Sequence, residues 1–180
     1  MVLAKQIIES MEQWAPPHYA ESWDNVGLMV GSKQRDVSKI ITTLDITPEV
    51  IEYAMVEQAQ MIISHHPFIF KGLKSLHLDS PQGTLIEKLI KNDIVVYSAH
   101  TNLDITIGGL NDMLANRLGL TNVRGFVPTG SDMVYKITTF VPTDTADAVR
   151  EAMASAGAGR IGNYESCSFS FTGEGDRKST

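Results

Sequence analysis

KIITTLDITPEVIEYAMVEQAQMIISHHP, residues 39–67, decides the fold. Residues 39–46 are rich in β-branched side chains and read as a strand. Thr47 is a good N-cap, and Pro48 suits the first helical position, where its missing N–H costs nothing. Val50, Ile51, Ala54, Met55 and Ala59 then share one side of a helix over roughly 48–58. QMIIS, 60–64, is a short apolar strand. It runs straight into His65, His66 and Pro67.

The same pattern continues outward. Ser80-Pro81 repeats the N-cap-then-proline start, and a helix over about 81–91 carries Leu85, Ile86, Leu89 and Ile90 before Asn92. IVVYS, 94–98, is a second continuous apolar strand. AHTNLDITIGG, 99–109, reads as a loop, followed by a helix over roughly 109–118. On the other side, Val2, Leu3, Ile7, Ile8, Met11 and Trp14 recur at helical spacing in a first helix that stops before Pro16-Pro17. The loop HYAESWDNVGLMVG, 18–31, closes on the apolar run Val26–Val30.

Short apolar strands alternating with helices predict an α/β fold, a mostly parallel sheet with helices on both faces. Such sheets bind ligands at the carboxyl ends of their strands. His65-His66 stands at one such end and AHTNLD at another. Beyond GFVPTGSDM, 125–133, the texture changes. VYKITTFVP (134–142) reads as a strand, TDTADAVREAMASAGAG (143–159) as a capped helix, and RIGNYESCSFSF (160–171) as strand again. The expected division is a domain over 1–132 and a βαβ-like remnant over 133–180, too small to fold alone. Half a sheet leaves strand edges unpaired, so residues beyond about 160 are expected to be poorly ordered.

The totals narrow the function. The 180 residues are 43% hydrophobic and 20% charged, a globular composition. A formal net charge of −6 and the lack of a Lys/Arg cluster argue against a nucleic-acid partner. Cys167 is the only cysteine, so no intrachain disulfide forms, which fits a reducing cytoplasm. The first 17 residues have neither a signal-peptide core nor the length to span a membrane. The expectation is a cytoplasmic protein without a membrane partner.

The chemistry gathers on histidine. A single histidine is most often a satisfied surface or core residue. Two in a row at a strand end before a rigid proline, with His100 and Asp104 at a second strand end, point to a metal. Imidazole and carboxylate suit zinc, iron, manganese or nickel. Adjacent residues of a strand face opposite sides. Past its end both histidines can lean into one cavity, or each can hold one of two metals. Asp45 reads first as a turn or cap before Thr47-Pro48, and second as a third wall of the site. Asp24 and Asn25 serve equally as turn chemistry or as site residues. His18 and His77 read as surface histidines and Lys71 as a solvated lysine. Cys167 lies between serines with no base nearby. No GxGxxG follows the first strand, and P-loop, GxSxG, CxxC and HExxH motifs are absent.

SWDNVGLMVG, TLDIT, SHHPFIFKGLKSL and YSAHTNLDITIGGLND, in this order and spacing, closely resemble the Nif-three-like family, whose bacterial members are called GTP cyclohydrolase 1 type 2 homologues. The resemblance covers residues 1 to about 130. It implies a site for two divalent metal ions on His65, His66 and Asp104, with His100 as a further ligand or outer partner. It also implies a homo-oligomer, a toroidal hexamer in the family, and a small-molecule or nucleotide substrate. The activity it suggests is a metal-dependent hydrolase opening the purine ring of GTP. The alternative is a non-catalytic metal-binding regulatory or interaction protein. The segment from Tyr135 resembles a ferredoxin-like domain inserted in longer members. In the family a His and a Glu after that domain complete the ligand set. This chain has no histidine after His100, and its Glu165 and Glu174 match no ligand motif. The expectation is therefore a chain cut within the inserted domain, with an incomplete metal site.

Overall fold

The computed structural model describes residues 1–125, 134–161 and 164–174. The boundary expected near residue 133 and the end of the polar tail, 175–180, fall outside the described residues. The Cα positions divide into two units, Met1–Ser131 and Asp132–Thr180.

The first unit runs β1 (Val2–Leu3), α1 (Ala4–Trp14), β2 (Gly27–Val30), β3 (Asp36–Val37), β4 (Ile40–Thr43), α2 (Pro48–Val56), β5 (Met61–Ser64), α3 (Pro81–Lys91), β6 (Val95–Ser98), α4 (Thr101–Ile105) and α5 (Leu110–Arg117). The start signals work as their chemistry requires. Thr47 Oγ1 accepts the Val50 N–H at 3.3 Å, and Ser80 Oγ accepts the Gly83 N–H at 3.0 Å. Each satisfies a donor that the first turn leaves without a helical partner.

The main sheet has the order β2-β6-β5-β4. The β4–β5 and β5–β6 pairs are parallel, and β2 joins β6 antiparallel with an irregularity between Leu28 and Val30. A small antiparallel pair joins β1 to β3. Register decides which face each side chain takes. Ile62 and Val96 are paired and enter a core with Ile51 and Ala54 of α2 and Leu89 of α3. Met61 and Val95 are paired one residue earlier and enter a second core with Ala4 and Ile8 of α1. The continuous apolar runs of β5 and β6 are thus the signature of a sheet covered on both sides.

Three expectations are corrected. Residues 101–105, read as loop, form α4. The helix starts without a side-chain cap, and a tertiary contact from the buried Asn102 holds it. In the second unit a helix, α6 (Ala146–Ser155), forms inside the stretch read as one, shorter than 143–159 and without the side-chain cap expected at its start. Residues 134–142, read as a strand, have no ladder among the described residues, and 160–171 contribute only a bridge between Ile161 and Tyr164. Alternating β-formers make a strand only where another strand supplies the hydrogen bonds.

Tyr97 is fully buried on the α1 side. Its hydroxyl has no hydrogen-bond partner among the described residues. Burial, with the Glu12 carboxylate adding to it, pushes the phenol up to about 12. An unpaired buried hydroxyl costs about 1–3 kcal/mol. Tyr97→Phe should therefore raise unfolding stability by about 1 kcal/mol in urea. A loss of that size would mean that the hydroxyl is paired.

Candidate metal centre

The site lies where β4, β5 and β6 end together. Ser64 and Ser98 are register partners. Both are buried, and their hydroxyls meet at 2.8 Å. Ser64 Oγ also donates to the His66 carbonyl at 2.8 Å. The ladder continues one step past the strands. The His65 N–H donates to the Thr43 carbonyl at 3.1 Å, the His66 N–H to Leu44 at 2.9 Å, and the Ala99 N–H to Ser64 at 3.0 Å. Both histidines are thus carried on backbone still hydrogen-bonded to the last residue of β4, Thr43, and to Leu44 just past it.

Three imidazoles converge there. Ring centroids are 5.3 Å apart for His65–His66, 5.1 Å for His65–His100 and 5.6 Å for His66–His100. One ligand nitrogen of each lies within 4.8 Å of the others. Each Nδ1 has its own partner. That of His65 is 3.0 Å from the Ala99 carbonyl, that of His66 is 2.7 Å from Asp45 Oδ1, and that of His100 is 2.9 Å from Asp24 Oδ1. A carbonyl and two carboxylates are acceptors, so the proton belongs on each Nδ1. The Nε2 lone pair is then free for a ligand. Histidines that bind metals commonly direct their other nitrogen to a carboxylate or carbonyl in this way.

Asp24 is the most constrained member. Its side chain is fully buried. Burial opposes its ionisation, but hydrogen bonds from the Thr101 hydroxyl, His100, and the Asn25 and Thr101 N–H groups outweigh it and hold the carboxyl below its usual value. Asn102, also buried, accepts the His100 N–H at 2.9 Å and donates to the Ala15 carbonyl at 2.7 Å. It ties the histidine's backbone to the end of α1. Asp104, on α4, brings Oδ1 to 3.7 Å from His65 Nε2.

The structure thus gathers His65, His66 and His100, with Asp104 beside His65. Asp24 joins both readings given to it, since its N–H closes a turn onto the Glu21 carbonyl at 2.9 Å and its carboxylate orients His100. Asp45 is corrected: its side chain holds His66, so the site role outranks the cap. Sequence reasoning passed over Ser64, Ser98, Thr101 and Asn102. A serine closing each of two apolar strands, MIIS and VVYS, was a signal open to notice. His18 packs edge-on against Tyr19 at 4.7 Å, and neither it nor His77 belongs to the three-histidine group. Lys71 is exposed. Cys167 is exposed in the second unit.

A family model described as Duf34/NIF3 (NGG1p interacting factor 3) matches residues 2–172. Proteins named GTP cyclohydrolase 1 type 2 homolog are similar to this chain. The one from Halalkalibacterium halodurans is 43% identical over 172 residues, 96% of this chain and 46% of the relative. The one from Bacillus subtilis is 43% identical over 177 residues, 98% of this chain and 48% of the relative. A solved Bacillus cereus protein related to NIF3 superposes with a TM-score of 0.69 at 40% identity, covering 93% of this chain and 46% of its own. The chain therefore spans about half the length of the curated relatives it matches.

The two carboxylates should differ in consequence. Asp24→Ala strips partners from His100 and Thr101 in a buried setting and should cost about 2–4 kcal/mol. Asp45→Ala breaks a half-exposed pair and should cost about 1 kcal/mol or less. Urea unfolding of both variants measures this, and equal losses would refute the ranking.

Proposed function

The chain belongs to the Duf34/NIF3 family, and on that premise we propose that its histidine cluster holds two divalent metal ions and serves a metal-dependent hydrolase acting on a nucleotide. The observation that carries this reading is the convergence of three imidazoles, each with Nδ1 against an acceptor and Nε2 left for a ligand. The donor set fits the group, since imidazole and carboxylate suit zinc, iron, manganese or nickel. His65 and Asp104 are close enough to share one ion. His66 would serve the other, with His100 as a further ligand or outer partner.

A divalent ion bound there supplies Lewis-acid polarisation and an acidified water. The chain's own residues supply order. Asp24, Asp45 and the Ala99 carbonyl keep the three Nδ1 protons in place. Ser64 and Ser98 hold the strand ends in register. The relatives' name, GTP cyclohydrolase 1 type 2 homolog, suggests GTP as the substrate, hydrolysed at the purine imidazole ring with release of formate. The reading carries with it a cytoplasmic homo-oligomer, hexameric as in the resemblance.

The second reading, a non-catalytic metal-binding interaction protein, draws on the second unit. Val134, Tyr135, Phe140, Phe169 and Phe171 are each at least three-quarters exposed, more apolar surface than a self-sufficient domain usually shows.

Elemental analysis of the purified chain should find about two ions per chain, falling in both His65→Ala and Asp104→Ala. Little metal in the parent chain would contradict the metal reading. Incubation of the metal-loaded chain with GTP should release formate. A loaded chain that consumes no nucleotide, beside a full-length homologue that does, would leave the interaction reading in its place.

A further inference from the structure

Trp23 is 58% exposed, yet it stands at the histidine cluster. Its ring meets His100 edge-on, with centroids 6.2 Å apart and planes at 77°. On its other side Phe70, 45% exposed, lies 6.0 Å away at 55°. A large aromatic left open to water beside polar groups is the informative kind of exposure.

Both rings are held by anchored backbone. The Trp23 loop is pinned through its neighbours. The Glu21 N–H donates to Thr101 Oγ1 at 3.0 Å, and the buried Asp24 carboxylate accepts from His100 and from the Thr101 N–H. The Phe70 loop is pinned as well. Phe68 and Ile69 pack on the core beneath α2 and α3, and the Asn25 side chain donates to the Ile69 carbonyl. Asn25 therefore links the two loops. Further along, Ser80 Oγ donates to the His77 carbonyl at 2.7 Å, and Gly83 leaves room for that carbonyl, which a Cβ would meet at 1.9 Å. Two exposed rings on rigid supports make a platform with little ordering cost.

We propose that Trp23 and Phe70 form a stacking platform for the nucleobase of a ligand whose reacting ring faces His65, His66 and His100. This rests on the nucleotide reading above and deepens it by assigning the residues that recognise the base. The planes of Trp23 and Phe70 are too far from parallel to sandwich a base. Trp23 gives the base a face and Phe70 bounds it, an arrangement that suits offset stacking. Stacking of this kind tolerates any planar heteroaromatic ring, since every base has a π-face. Selectivity among bases then falls to the polar groups of the cluster. Lys71 and Lys74 follow Phe70, and neither has an ion-pair partner among the described residues. In a chain of net charge −6 they are free cations close in sequence to the platform and suit a phosphate.

The test uses two probes that differ by the base alone, guanosine 5′-monophosphate and ribose 5-phosphate. It is run in chelator, so that metal plays no part. The chain has two tryptophans, so Trp14→Phe leaves Trp23 as the sole tryptophan, excited selectively at the red edge of the absorption band where tyrosine does not absorb. Guanosine 5′-monophosphate should quench Trp23 saturably after inner-filter correction, and ribose 5-phosphate should not. Phe70→Ala should weaken that binding about fivefold or more. In the chain that keeps Trp14, Trp23→Ala should weaken binding about tenfold or more by calorimetry. Equal quenching by both probes, or none, overturns the platform. A Trp23 emission shift that follows protein concentration and ignores ligand also overturns it, because a second copy then covers the rings. Base binding in chelator, with no turnover once the chain is loaded with metal, supports the platform and removes the hydrolase reading. Turnover with an unchanged KM in Trp23→Ala removes the platform and leaves the hydrolase.

Discussion

The contact between Asp24 Oδ1 and His100 Nδ1, 2.9 Å long, is the constraint on which the rest of the site depends. It joins a loop after the first helix to the end of the last strand, 76 residues further along the chain. Its carboxylate is fully buried, so it must be paired or protonated. Here Thr101 and two backbone N–H groups join His100 in holding it ionised. Removing the carboxylate would leave several donors unpaired at once. That is why one side chain can fix the tautomer of His100, the start of α4 and the place of Trp23 together.

The sheet supplies the second half of the design. Parallel strands in register bring Asp45, His65-His66 and Ala99-His100 to a single edge, as open α/β sheets do with their ligand sites. The Ser64–Ser98 contact sets the last register step in a buried position. Beyond it each imidazole finds an acceptor of a different origin: a strand-end carboxylate, a backbone carbonyl and a loop carboxylate. The convergence of three rings is therefore a property of the fold, and α1, α2 and α3 contribute by burying both faces of the sheet.

Much of this was legible along the chain. The strands and helices from residue 39 to 98 follow from β-branched runs, proline starts and continuous apolarity, all local signals. The histidines at two strand ends were visible for the same reason. What the sequence concealed depends on contacts far apart in it. Asp45 looked like a cap because its hold on His66 exists only once β4 and β5 are in register. Residues 101–105 looked like loop because the support for α4 comes from the Ala15 carbonyl, through Asn102. Residues 134–142 carry a strand's composition, and among the described residues no partner strand completes a ladder with them. The paired serines were readable and carried no weight until the register was known.

The central claim is chemical: His65, His66 and His100 all carry their proton on Nδ1 and present Nε2. Long-range nitrogen–proton NMR of the metal-free protein reads the tautomer of each ring directly. The account requires the Nδ1–H form at all three. The Nε2–H form at any of them would show that the ring's partner does not hold it, and the case for a three-imidazole metal centre would fail at that residue.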